Sequence, residues 1–299
     1  MRVAALRLTG RRRWVGVVAA VLVLVAACQR SGEPANQVVQ SVPITSTTGQ
    51  VRSPDLSTQG PTTTAVPVPT TTVRAAPPRV LLVGDSTLLA VSSYGTEVAL
   101  SGFDAVVEVA SCRTLGIPSC GREPVPPNTV ETIKASSGSF DGVVIMAGYD
   151  EWWTSFSTSL GSVMDAARAR GAKWILWLNY PQDVSYLLPD GRPASESFVR
   201  NNATLEDYTA RPGFDELVVA DWDTYSGRNV TWIASDGIHL EPAGAYGVAD
   251  YISRWVAHLV GAACPQPLTA GGEIDSPCPN PDTLTTTADV QSLYLSATG

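Results

Sequence analysis

Histidine is nearly absent: 299 residues contain only His239 and His258. Any chemistry that needs an imidazole base is confined to those two positions. The five cysteines are too widely and unevenly spaced for a structural zinc site, and the histidines lie away from them. A phosphate-cradling loop is also missing. VGDSTLLA at 83–90 lacks the further glycines and the lysine of such a loop, so no nucleotide or flavin cofactor and no metal is expected. Basic residues are scarce outside the N-terminus. Six of the 20 fall in the first 30 positions, which hold no acidic residue, leaving 14 to face 28 acidic ones. A chain that negative is repelled by phosphate backbones, which excludes nucleic acid as a partner.

The apolar run Trp14–Ala27 is short for a membrane span. It follows the charged start MRVAALRLTGRRR and has the length of a secretory signal core. Val25, Ala26 and Ala27 stand directly before Cys28, small residues that resemble a bacterial lipobox. Residues 1–28 are therefore expected to be a lipoprotein-type signal, with Cys28 lipidated and the chain tethered to the outer face of the cytoplasmic membrane. A plain N-terminal anchor is the alternative. Arg11-Arg12-Arg13-Trp14 also loosely resembles a twin-arginine signal, so two export routes stay open. In an exported protein the remaining Cys112, Cys120, Cys264 and Cys278 are expected to form two disulfides. Proximity favours Cys112–Cys120 and Cys264–Cys278 among three possible connectivities.

Residues 29–78 are rich in Thr, Ser, Pro and Val, with stretches such as GPTTTAVPVPTTTV. Such a composition cannot bury enough apolar surface to fold and predicts a disordered linker. Residues 263–299 are again Thr-, Pro- and Gly-rich and predict an irregular tail. Between them lie five apolar runs of strand length: 79–85, 105–110, 141–148, 173–179 and 216–223. Near-continuous hydrophobicity of this kind marks strands buried on both faces. Helical spacing runs over Thr87–Leu100, Phe156–Arg170, Glu196–Ala210 and Pro242–Val260, the last with proline in its first turn. The alternation predicts one α/β domain over 79–262, a five-stranded parallel sheet with helices on both faces. The sequence carries no indication of an oligomeric state.

Ligands of open α/β sheets gather at the carboxyl ends of the strands. Gly84-Asp85-Ser86 lies at that end of the first strand. Ser86 reads either as a nucleophile or, in Asp-Ser-Thr before a helix, as capping chemistry. A nucleophilic serine needs a base. His258 lies within the apolar helix ISRWVAHLV and reads as a packed or surface residue. His239 lies in SDGIHLEPAG, in a loop after the fifth strand, and so at the same end of the sheet as Ser86. The three-residue spacing lets Asp236 reach one imidazole nitrogen and leaves the other for the serine proton.

VGDS at 83–86 and DGIHLEPAG at 236–244 resemble the first and last motif blocks of the SGNH/GDSL hydrolases. That resemblance spans 79–262 and implies a flavodoxin-like three-layer fold acting on esters and other acyl groups. It also implies Ser86 as nucleophile, His239 as base and Asp236 as its orienting partner. The middle blocks depart from the family. The second supplies a backbone N–H, usually at a glycine; VASCRTLG here puts that donor between Ser111 and Arg113, with Ser86, Cys112 and Arg113 as the expected oxyanion donors. The third is normally Gly-x-Asn-Asp, whose asparagine amide donates to the oxyanion. Gly148-Tyr149-Asp150-Glu151 stands in its place, and an ionised Asp150 cannot donate. Three readings stay open: Asp150 is protonated, another donor such as Arg113 compensates, or Asp150 has a different role.

GYDEWW at 148–153 also suggests sugar recognition through Tyr149, Asp150 and Trp152, with aromatic faces for stacking and a carboxylate for hydroxyls. The tryptophans could instead start the next helix and pack on the sheet. Adjacent Asp150 and Glu151 do not suit glycoside hydrolysis, which needs carboxylates on two sides of one substrate. The closest subgroup by resemblance is the SGNH domains associated with cell-surface O-acyltransferases. The expected substrate is an acylated envelope glycan or a lipid ester, and the alternative is an inactive glycan-binding domain of the same fold.

Overall fold

The computed structural model describes residues 76–120, 123–265, 277–283 and 290–298. The expected signal, Cys28 and nearly all of the expected linker lie outside the described residues. Five strands form the sheet: β1 (Arg79–Gly84), β2 (Asp104–Val109), β3 (Gly142–Met146), β4 (Trp174–Leu178) and β5 (Leu217–Ala220). All neighbours pair in parallel, in the order β2-β1-β3-β4-β5. This is the flavodoxin-like order, whose direction reverses between β1 and β3. Val80–Val83, Val143–Met146 and Ile175–Leu178 are fully buried, as expected of strands covered on both faces. The edge strand β2 differs. It exposes Asp104 and Glu108, charges that blunt an unpaired edge.

The helices are α1 (Leu89–Ser93), α2 (Thr129–Ala135), α3 (Trp153–Ala169), α4 (Ala194–Thr209), α5 (Trp222–Gly227), α6 (Pro242–Val260) and α7 (Val290–Thr298). The helix expected over Thr87–Leu100 is broken: Gly95 takes a φ of +66°, ends α1, and a 3-10 turn at Thr96–Ala99 follows. Sequence reading missed α2 and α5, which are too short to show a clear period. It also took residues 290–298 for irregular tail. They form α7, which buries Val290 and Tyr294 against the rest of the fold. The Tyr294 hydroxyl donates to Asp250 Oδ1 at 3.1 Å, joining a buried Asp250–Arg254 ion pair on α6.

Both expected disulfides are present, Cys112–Cys120 and Cys264–Cys278. His258 hydrogen-bonds through Nδ1 to the Cys278 carbonyl at 2.8 Å, a structural link between α6 and the segment after it. Among the described residues no helix is long and apolar enough to cross a membrane.

Candidate active site

The reversal of strand order leaves a crevice between the loops after β1 and β3. Chain geometry forces the first of these into a tight turn. A Cβ at Gly84 would stand 2.3 Å from Leu88 Cβ, so no other residue fits there. Asp85 is buried and accepts three hydrogen bonds, from Thr87 N (3.0 Å), Thr87 Oγ1 (2.8 Å) and Tyr149 N (3.0 Å). The last of these ties the β1 loop to the β3 loop. Burial pushes the Asp85 carboxyl up to about 6, against the lowering effect of these donors.

Ser86 follows, and its Oγ lies 3.0 Å from His239 Nε2. His239 Nδ1 is 2.6 Å from Asp236 Oδ2. Asp236 Oδ1 accepts the amides of Ile238 (3.0 Å) and His239 (3.1 Å), so the carboxylate is locked to its own turn. Burial alone would raise the Asp236 pKa; the imidazole and the two amides outweigh it and hold the carboxyl below its ordinary value. Gly237, at φ +86°, makes the turn that brings residues 236 and 239 together. The side chains of His239 and Asp236 remain 39% and 34% exposed, so the site is open to a substrate. A cavity of about 840 Å³ lined by Pro78, Phe103, Lys173 and Trp174 is bordered by none of these residues.

The loop after β2 holds a second departure from ordinary backbone. Cys112 has φ +66°, the only non-glycine residue in the left-handed region among the described residues. That conformation costs on the order of 1–3 kcal/mol and persists only where the surroundings impose it. Here the Cys112–Cys120 bridge and the Cys120 N–H to Cys112 carbonyl bond (3.4 Å) close the loop around it. A disulfide-held cysteine thus takes a conformation natural to glycine. The backbone N–H groups of Ser86 and Cys112 donate to no group among the described residues.

Arg113 does not serve as the expected donor. Only 3% exposed, it donates through Nε to the Pro127 carbonyl (3.1 Å) and through Nη1 to the carbonyls of Gly84 (3.3 Å) and Glu108. Its backbone N–H is held by Ala110 O at 3.3 Å. The guanidinium braces the ends of β1 and β2 instead, adding a second hydrogen bond to a Gly84 carbonyl that already accepts the Ala110 N–H at 3.2 Å.

The sugar-binding set is also corrected in part. Tyr149 is 1% exposed and packs edge-on against Tyr180 (5.0 Å) and Phe198 (5.3 Å). Its backbone, not its ring, serves the site. Trp152 immediately precedes α3 and one face of its ring is covered by the Arg192 guanidinium, 3.5 Å from the centroid. Glu151, fully buried, accepts Leu115 N at 2.8 Å and the Ser159 hydroxyl, so it points away from Asp150. Asp150 alone of this group faces the crevice region. Its Oδ1 accepts the Tyr186 hydroxyl at 2.7 Å, and its carboxylate lies within 4.8 Å of the Cys112 and Cys120 sulfurs.

Tyr186 escaped sequence reading because it lies in the aperiodic segment 181–193, between β4 and α4. Its ring meets the His239 imidazole edge-on, with centroids 6.1 Å apart. Asp85 was likewise overlooked as an organiser, although its place between Gly84 and Ser86 was a usable signal.

A serine, a histidine and an aspartate linked in series at the carboxyl edge of a 2-1-3-4-5 sheet form the arrangement of a serine hydrolase triad. No family model matches the chain, and no curated protein matches it. Solved structures with a similar fold include a carbohydrate acetylesterase family member from Sinorhizobium meliloti (14% identity, TM-score 0.46, covering 61% of this chain and 99% of that one). Another is an SGNH hydrolase candidate from Slackia heliotrinireducens (22%, TM-score 0.42, covering 57% and 94%). A third is the salicylyl-acyltransferase of a tetracycline biosynthetic pathway (15%, TM-score 0.41, covering 63% and 56%). These likenesses are loose, and the weight rests on the triad itself.

Proposed function

We propose that the protein is a serine ester hydrolase or O-acyltransferase of the SGNH type. The observation that carries this reading is the continuous Ser86–His239–Asp236 hydrogen-bond chain in an open crevice. Ser86 Oγ attacks the ester carbonyl while His239 Nε2 takes its proton, and Asp236 fixes the tautomer and stabilises the imidazolium. The Ser86 and Cys112 amides receive the oxyanion. The protonated His239 then supplies the proton to the leaving alcohol. Water or a second alcohol resolves the acyl-enzyme by the same steps in reverse.

Two disulfides support an exported protein. With the expected signal and lipidated Cys28, this favours acylated glycans or lipid esters of the cell envelope as substrates, and a membrane tether. Asp150 in place of an amide donor favours a second reading, a weakly active or inactive surface domain that binds glycans. Loss of one oxyanion donor costs roughly 3–4 kcal/mol of transition-state stabilisation.

Labelling of the full-length, disulfide-intact protein with a fluorophosphonate separates the two readings. The expected result is an adduct at Ser86 that disappears in Ser86→Ala and drops sharply in His239→Ala. A folded protein that takes up no label, yet binds glycan equally well with Ser86→Ala, would establish the binding reading instead.

A further inference from the structure

The carboxylate at position 150 has no use as an oxyanion donor, yet it is held with care. Its Oδ1 receives the Tyr186 hydroxyl, while its Oδ2 accepts no hydrogen bond among the described residues. On one side stands the Cys112–Cys120 bridge, whose Cys112 amide is a proposed oxyanion donor. On the other stands Tyr186, whose ring edge abuts the base His239. Asp150 therefore neighbours both the bridge that carries a proposed oxyanion donor and the tyrosine that packs on the base.

Tyr186 is itself fixed to the triad loop. Ser185 Oγ donates to the Ser235 carbonyl at 3.1 Å, and Val184 packs so closely on Gly237 that a Cβ there would lie 3.0 Å from it. The phenol stays protonated. Burial raises its pKa, and the neighbouring Asp150, Asp85 and Asp236 carboxylates raise it further. It is thus a permanent donor that orients one Asp150 oxygen and leaves the other free.

We propose that Asp150 and Tyr186 form an acceptor subsite, in which Asp150 Oδ2 accepts a hydrogen bond from a second hydroxyl of an uncharged, polyhydroxylated acyl acceptor. The inference rests on the ester-hydrolase reading and adds the class of acceptor. A carboxylate only accepts hydrogen bonds, so it favours hydroxyl donors and repels anionic groups. Anchoring a second hydroxyl also orients the first at His239, an advantage that water and simple alcohols lack.

The transfer step balances without any further reagent. His239 Nε2 takes the proton of the acceptor hydroxyl as its oxygen bonds to the carbonyl carbon of acyl-Ser86. The tetrahedral adduct collapses, the bond to Ser86 Oγ breaks, and that oxygen recovers the proton from His239. Asp150 takes no part in proton transfer and acts as a specificity-determining residue.

The test uses the full-length protein with p-nitrophenyl acetate as acyl donor and glycerol or methanol as competing acceptors. Glyceryl acetate, methyl acetate and free acetate are quantified per p-nitrophenol released, so the ratio does not depend on the acylation rate. The wild-type protein is expected to prefer glycerol over methanol, per hydroxyl, by about tenfold, the worth of one hydrogen bond to a charged group. Asp150→Ala should abolish that preference, and Tyr186→Phe should lower it roughly threefold by leaving the carboxylate unanchored. Equal capture by both alcohols in the wild type, or a preference retained in Asp150→Ala, overturns the subsite. Should Asp150→Ala fail to fold, an undiminished preference in Tyr186→Phe overturns the pair. A wild-type protein that releases no p-nitrophenol sinks the hydrolase reading and the subsite together, whereas normal release with no preference sinks only the subsite.

Discussion

Two loops at the same end of the sheet are held in opposite ways. The loop bearing Asp236 and His239 is tied mainly to itself: Asp236 accepts amides two and three residues on, and the Ala234 N–H meets the His239 carbonyl at 2.8 Å. The loop bearing Tyr149, Asp150 and Glu151 is held from afar. Tyr149 N donates to Asp85, Asp150 accepts from Tyr186, Glu151 accepts from Leu115 N and Ser159, and Ser197 Oγ donates to the Glu151 carbonyl at 3.1 Å. Local bonds let the first loop preorganise its own chemistry. The second takes its shape only when five other segments are in place, so damage there should reach both stability and the site.

The sharpest test of this contrast is Asp236→Asn. It should leave the fold intact and lower ester turnover by about 10⁴-fold, because the amide selects the wrong imidazole tautomer. Steady-state kinetics beside a urea unfolding curve would show catalysis lost without stability; a large drop in unfolding midpoint would break the comparison. Glu151→Ala should do the reverse. Two buried donors, Leu115 N and the Ser159 hydroxyl, lose their acceptor, and stability should fall by roughly 4 kcal/mol by urea denaturation. A change under 1 kcal/mol would mean that the long-range loop is not held as described.

The smallest expected effect concerns Asp85, the link between the β1 and β3 loops. Its folded pKa of about 6 lies above the ordinary 3.8, so folding favours its protonated form. The stability it contributes is complete below pH 3.8 and is lost as pH rises through about 6. Relative to the non-titrating Asp85→Asn, the wild-type protein should lose roughly 2–3 kcal/mol between pH 4 and pH 7. Parallel urea titrations across that range check the slope, and a difference that does not vary with pH would show that Asp85 does not titrate there.

The triad residues could be picked out from the sequence because their signal is short-ranged: D-x-x-H spans one turn, and Gly84-Asp85-Ser86 ends one apolar run. The five strands were legible for a similar reason, since a strand covered on both faces must be apolar throughout. Arg113 misled because charge at a motif position suggests a donor to substrate. Only the folded chain reveals three backbone carbonyls competing for it. Tyr149 and Trp152 misled for a related reason, as an aromatic residue reads the same whether it stacks on a ligand or packs inside. In α7 the composition of the preceding tail hid a helix that acquires its apolar partner only from α6.

By itself the sequence determined the parallel α/β alternation and the pairing of Ser86 with a D-x-x-H turn, both patterns of nearest neighbours along the chain. Tertiary structure alone decided that Cys112 takes a glycine-like conformation, that Arg113 is consumed by strand ends, and that Tyr186 stands against Asp150 and His239. Those outcomes depend on which distant groups lie within hydrogen-bond reach, and the spacing of residues in a sequence does not encode distances between segments far apart along it.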